Sequence, residues 1–127
     1  MSPGRLDPIV IADRASWIRT MVVGMRTLPL ANLEDFTRDR HIVAAAESYI
    51  RRAVEALVDL GRHVLAKRFG VAISEYKAIP PALAQAGVLV ADQVPVFMRI
   101  CGYRNRLVHF LSRGLRQRVV CDLHAPC

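Results

Sequence analysis

The sequence predicts an all-α protein, an up-and-down bundle of four to five helices joined by short connections. Three observations carry that reading. Apolar residues recur at three- and four-residue steps over long segments, and no segment alternates with the two-residue period of a strand. Apolar residues make up 53% of the chain and aromatics only 6%, a balance suited to helices packed through Ala, Val and Leu. Asn, Asp, Pro and Gly fall where helices open and close. At 127 residues the chain is expected to fold as one domain with a single core, over residues 1–110, followed by an atypical tail over 111–127.

The first helix is expected from Asp7 to Thr27, with Ile9, Ile11, Ala12, Ala15, Ile18, Met21, Val22 and Met25 as its apolar members. "LPLAN" interrupts it: Pro29 is the stop, and Asn32 is placed to cap a short turn, "LEDF", anchored by Leu33 and Phe36. The longest element, Asp39 to Phe69, places Ile42, Ala46, Tyr49, Ala53, Leu57, Leu60 and Val64 on one stripe, with Arg51, Arg52, Glu55, Asp59 and Arg62 largely off it. At about 1.5 Å per residue it spans roughly 45 Å, the spine of the bundle. Gly70 ends it. A loop around Ser74 to Lys77 leads to a short helix opened by Pro80 and Pro81 and closed by Gly87. The last clear helix starts near Asp92 and runs through "VPVFMRICGYRNRLVHF", with Val94, Phe97, Met98, Cys101, Leu107 and Val108 apolar. Beyond it "LSRGLRQRVVCDLHAPC" shows no clear helical stripe.

Composition narrows the function classes. No apolar run approaches the ~20 residues a membrane span requires, and "MSPGRLDPIV" does not read as a secretory signal. Cys101, Cys121 and Cys127 form no C-x-x-C pair, so free thiols in a reducing cytoplasm are expected, with no metal site. The net charge is +7, and of the 18 basic residues only Lys67 and Lys77 are lysine. That balance favours a polyanion such as nucleic acid, although an arginine-rich, lysine-poor chain also follows from a GC-rich gene. No glycine-rich phosphate loop is present, so charge alone supports a simple nucleotide- or RNA-binding bundle.

The densest chemistry is "GYRNRLVHF", which gathers Arg104, Asn105 and His109. In isolation such residues more often solvate a helix end or compensate its dipole. The order Arg104-Asn105-x-Leu107-Val108-His109, however, resembles the R-N-x-L-V-H-x-Y signature of the HepT-like HEPN family. These are helical ribonuclease toxins paired with a minimal nucleotidyltransferase (MNT) antitoxin. The likeness extends from about residue 9 to 110: "LEDF" with the helix containing "RRAVEALVDLGRHVLAKRFG" resembles the family's second helix, and "EYKAIPPALAQAGVL" its linker and third helix. The resemblance implies a cytoplasmic RNA-cutting toxin, active as a homodimer and neutralised by the MNT protein, with Arg104 and His109 catalytic, Asn105 supporting, and no cofactor or metal.

The chemistry suits those residues. Cutting RNA without a metal requires a base for the 2′-hydroxyl, an acid for the leaving oxygen and positive charge on the phosphorane. Histidine titrates near neutrality and can serve as either base or acid. Arginine's planar fork suits phosphate oxygens. Asn105 is four residues before His109 and shares its helix face. Arg104 and His109, five apart, diverge by roughly 140°, so their convergence calls for the length of the arginine or for two protomers meeting in one cleft. Arg99, Arg106, Arg51 and Arg52 are candidate RNA contacts. Glu55 and Asp59 are expected to pair with Arg51, Arg52 or Arg62 rather than to buttress the site. His41 and His63 are expected on the helix surface, and Cys101 in the core.

One position departs from the family. Its tyrosine, the residue that the antitoxin modifies with nucleotide, falls on Leu111, which has no hydroxyl to accept the group. The departure continues to the end of the chain. Permitted codons for Phe110 to Cys127, read one nucleotide out of frame, can encode "FYHEVSDRELYAICTRH". That string restores the tyrosine and an amphipathic helix, so a frameshifted tail is one expectation. The alternative to an active toxin is a catalytically degenerate helical module that dimerises or binds the nucleotidyltransferase without cutting.

Overall fold

The computed structural model describes residues 5–113, with side chains described through Tyr103. Five α-helices follow in order: α1 (Pro8–Arg26), α2 (Leu33–Arg38), α3 (Arg40–Phe69), α4 (Ile79–Gln85) and α5 (Gln93–Arg113). A 3₁₀ turn, Tyr76–Ala78, precedes α4, and no strand occurs among the described residues. The architecture is the all-α bundle that the apolar periodicity predicts.

The helix ends follow from local chemistry. The Asp7 carboxylate accepts from the backbone N–H groups of Ile9 and Val10, with Pro8 at the first helical position. Asn32 caps α2 by accepting from Glu34 and Asp35, and Asp39 caps α3 by accepting from His41. Gly70 closes α3 in the left-handed region at φ 68°, where a side chain would be strained. At the start of α5 the Gln93 side chain accepts from the Val90 N–H at 3.0 Å. The helix then continues through Phe110 and Leu111 to Arg113.

The long helix α3 is the spine, with α1 packed antiparallel along it. The Asp7 N–H donates to His63 Nε2 at one end, and Gly24 meets Tyr49 at the other. A Cβ on Gly24 would fall 2.5 Å from the Tyr49 ring, so the two helices approach this closely only through glycine. The main core joins Ile50, Val54, Val58 and Leu65 of α3 to Ile79 and Leu83 of α4 and to Phe97 and Cys101 of α5. Gly61 permits the approach of α4, since a Cβ there would meet Ile79 at 2.8 Å. A smaller cluster of Phe36, Val43 and Ala46, flanked by Leu28, Leu30 and Ile42, secures α2 under the start of α3.

Two sequence expectations change. The deepest stripe of α3 is Val43, Ala46, Ile50, Val54, Val58, Gly61 and Leu65, about one residue, or 100°, around the helix from the expected line. The expected line, Ile42, Tyr49, Ala53, Leu57, Leu60 and Val64, is half-buried, with Ala46 as its one fully buried member. The deep stripe packs with Phe36 of α2 at Val43 and Ala46 and with α4 and α5 farther along, while Tyr49 of the other stripe meets α1 at Gly24. Of the two expected anchors of α2, Phe36 is fully buried, whereas Leu33 is 51% exposed. Leu33 is the first residue of a helix of 6 that turns a single face to α3.

Candidate functional site

Arg104, Asn105 and His109 lie on helical backbone in the second half of α5. Their side chains, with those of Arg106 and Leu111, lie outside the described residues. What can be built is the scaffold that carries them. Phe97 and Cys101 anchor the first half of α5 in the main core. The Cys101 Sγ–H donates to the Tyr76 carbonyl at 3.6 Å, and burial pushes its thiol pKa up, so it packs in the core as expected. Ile100 and Tyr103 reach the Ile50–Leu57 stretch of α3. Residues 104–113 then extend α5 by about 15 Å from this fixed first half.

The loop that precedes α4 is clamped back onto α3. The Arg62 Nη2 donates to the Ser74 carbonyl at 2.6 Å, and its guanidinium lies 4.9 Å from the centre of the Tyr76 ring. This overturns one expectation. Arg62 is spent on the loop, and among the described residues Glu55 and Asp59 form no ion pair with Arg51, Arg52 or Arg62. All five residues share α3, but a guanidinium that can reach a carbonyl and a ring together gains more there than from an exposed carboxylate in water.

Three of the candidate RNA-contacting arginines, Arg51, Arg52 and Arg99, have described side chains. Arg52 is exposed beside Trp17 and Arg14 of α1, in a cleft it shares with Glu55 and Asp59. Arg51 is half-buried, one residue around α3, and Arg99 is exposed on α5. His41 is exposed, as expected, whereas His63 is half-buried and accepts the Asp7 N–H at 3.4 Å, tying the start of α1 to α3. Among the described residues no cluster of His, Cys, Asp or Glu is arranged to hold a metal ion, and no helix is long and apolar enough to cross a membrane.

Two surface features escaped the sequence reading. One is an apolar groove of about 250 Å³, floored by Ile50, Ala53, Val54 and Leu57 of α3 and walled by α1 on one side and by Ile100 and Tyr103 of α5 on the other. It lies open because α1 and α5 both pack on α3 without closing on each other. The half-buried stripe of α3 was its signal in the sequence. The other is Trp17, 43% exposed at the seam of α1 and α3; a tryptophan among charged positions of a surface helix was the sign.

The described residues define an all-α helical bundle whose last helix carries the Arg104–His109 segment. Residues 24–110 match the family model described as Ribonuclease HepT-like, and the chain belongs to that family. No curated protein and no solved structure showed significant similarity to it. The match contains Arg104 to His109 and ends at Phe110.

Proposed function

We propose that the chain is a metal-independent endoribonuclease toxin of a toxin–antitoxin module, neutralised by an MNT-type nucleotidyltransferase. One observation carries the reading: Arg104, Asn105 and His109 fall inside the segment that matches the family. His109 takes the proton from the 2′-hydroxyl, the 2′-oxygen attacks phosphorus as the bond to the 5′-oxygen breaks, and the resulting imidazolium returns a proton to that leaving oxygen. Arg104 neutralises charge on the phosphorane, and Asn105 orients the imidazole. The attack uses the 2′-hydroxyl, so DNA is not cut.

The reading includes a homodimer. Residues five apart on a helix diverge, and two motif helices related by a two-fold axis would supply arginine and histidine to one cleft. The open apolar groove is the kind of surface that a second copy covers. Arg99, Arg106 and Arg51 are the arginines assigned to RNA; Arg52, set beside two carboxylates, fits that role least.

Leu111 favours a second reading, a degenerate module that pairs with the nucleotidyltransferase without cutting. The test is RNA cleavage by the purified full chain in excess chelator, beside His109→Ala and Arg104→Ala. Wild-type cleavage with a loss of about 100-fold or more in each variant is expected. Cleavage that survives both substitutions overturns the site. No cleavage until the tail is rewritten in the alternative frame selects the degenerate module.

A further inference from the structure

Trp17 separates two shallow clefts on the outer side of the α1–α3 seam, away from the apolar groove. One, of about 240 Å³, is formed with Asp13, Arg14, Ser16 and Thr20 of α1. The other, of about 180 Å³, is formed with Arg14 and with Arg52, Glu55 and Asp59 of α3. A large aromatic left partly open between two concavities is the side chain most enriched at the centre of binding surfaces.

Charge decides what fits. The chain as a whole carries +7, but here the carboxylates of Asp13, Glu55 and Asp59 outnumber the guanidinium groups of Arg14 and Arg52. Arg14 is already paired with Asp13 at 3.3 Å. Glu55 and Asp59 stand one turn apart on α3, exposed and without an ion pair among the described residues. An indole face beside two available carboxylates matches a planar cation: the guanidinium stacks on the ring and its fork meets the carboxylates. A phosphate backbone at the same place would meet carboxylate repulsion.

The geometry points to the Trp17 cleft as a docking site for a protein partner that presents an arginine side chain. Its carboxylates exceed its guanidinium groups on a chain of net charge +7, which disfavours a polyanion there. It lies across α1 from the groove that Ile100 and Tyr103 of α5 border, so a partner seated there leaves that side of the molecule open. The proposal does not depend on the chain cutting RNA.

Trp17 is the chain's single tryptophan, so its fluorescence reports occupancy directly. The full chain is titrated with the peptide acetyl-Ala-Arg-Ala-Arg-Ala-amide, with the same peptide carrying neutral citrulline for arginine, and with a single-stranded RNA dodecamer. Saturable quenching by the arginine peptide alone is expected, weakened roughly tenfold by combined Glu55→Gln and Asp59→Asn. Both substituted residues are exposed, and circular dichroism checks that the fold is intact. No saturable response to the arginine peptide, an equal response to the citrulline peptide, or affinity unchanged in the double variant overturns the proposal. Saturable quenching by the RNA, abolished by Arg14→Ala with Arg52→Ala, replaces it with a nucleic-acid surface.

Discussion

The helix α3 faces two different surroundings. Along one line, Val58, Leu65 and their neighbours are shut against Ile79, Leu83, Phe97 and Cys101, with Leu65, Ile79 and Cys101 at 0% exposure. Along the other, Ala53 and Leu57 meet α1 and then open into the groove that α1 and α5 fail to close. Both lines are apolar, so hydrophobicity alone does not separate them. The number of helices that reach each line does. The shut side anchors the first half of α5; the open side leaves apolar surface uncovered.

Substitutions on the two sides should therefore differ. On the shut side, Leu65→Ala removes a fully buried side chain and should cost about 3 kcal/mol of unfolding free energy, read by urea denaturation. Gly61→Ala drives a Cβ towards Ile79 and should cost about 2 kcal/mol, because α4 must shift outward to receive it. On the open side, Leu57→Ala should cost about 1 kcal/mol in dilute solution, where the side chain is already partly exposed. If that loss grows with protein concentration, a second copy covers the groove. A cost for Leu57→Ala equal to that for Leu65→Ala would erase the distinction between the two sides.

Much of the fold was legible because its boundaries are local. Asp7, Asn32, Asp39 and Gly70 each cap or end a helix through contacts within a few residues, and such chemistry is written in the neighbouring letters. The burial order was less legible. Two apolar stripes run side by side on α3, and only the later helices decide which becomes deepest. The exposure of Leu33 and the diversion of Arg62 to Ser74 and Tyr76 likewise depend on chain far away in sequence. The motif itself could be read as a string, Arg104 to His109, and the family match covers it. The Trp17 cleft could not, since α1 and α3 bring Trp17 beside Glu55 and Asp59 only when packed.

The tail has its own test. If the chain beyond Phe110 is frameshifted, Leu111 and Ser112 are encoded by a CTA codon followed by T, or by an equivalent that reads TAT or TAC out of frame. Any other codons there exclude the idea.

The central claim, that the motif on α5 cuts RNA through the 2′-hydroxyl, is tested most directly by the chemical end left on the cleaved RNA. Attack by the 2′-oxygen predicts a 2′,3′-cyclic phosphate on one fragment and a 5′-hydroxyl on the other, with neither formed by His109→Ala. A 3′-hydroxyl beside a 5′-phosphate would mean that water or hydroxide was the nucleophile, and would contradict the mechanism assigned to Arg104 and His109.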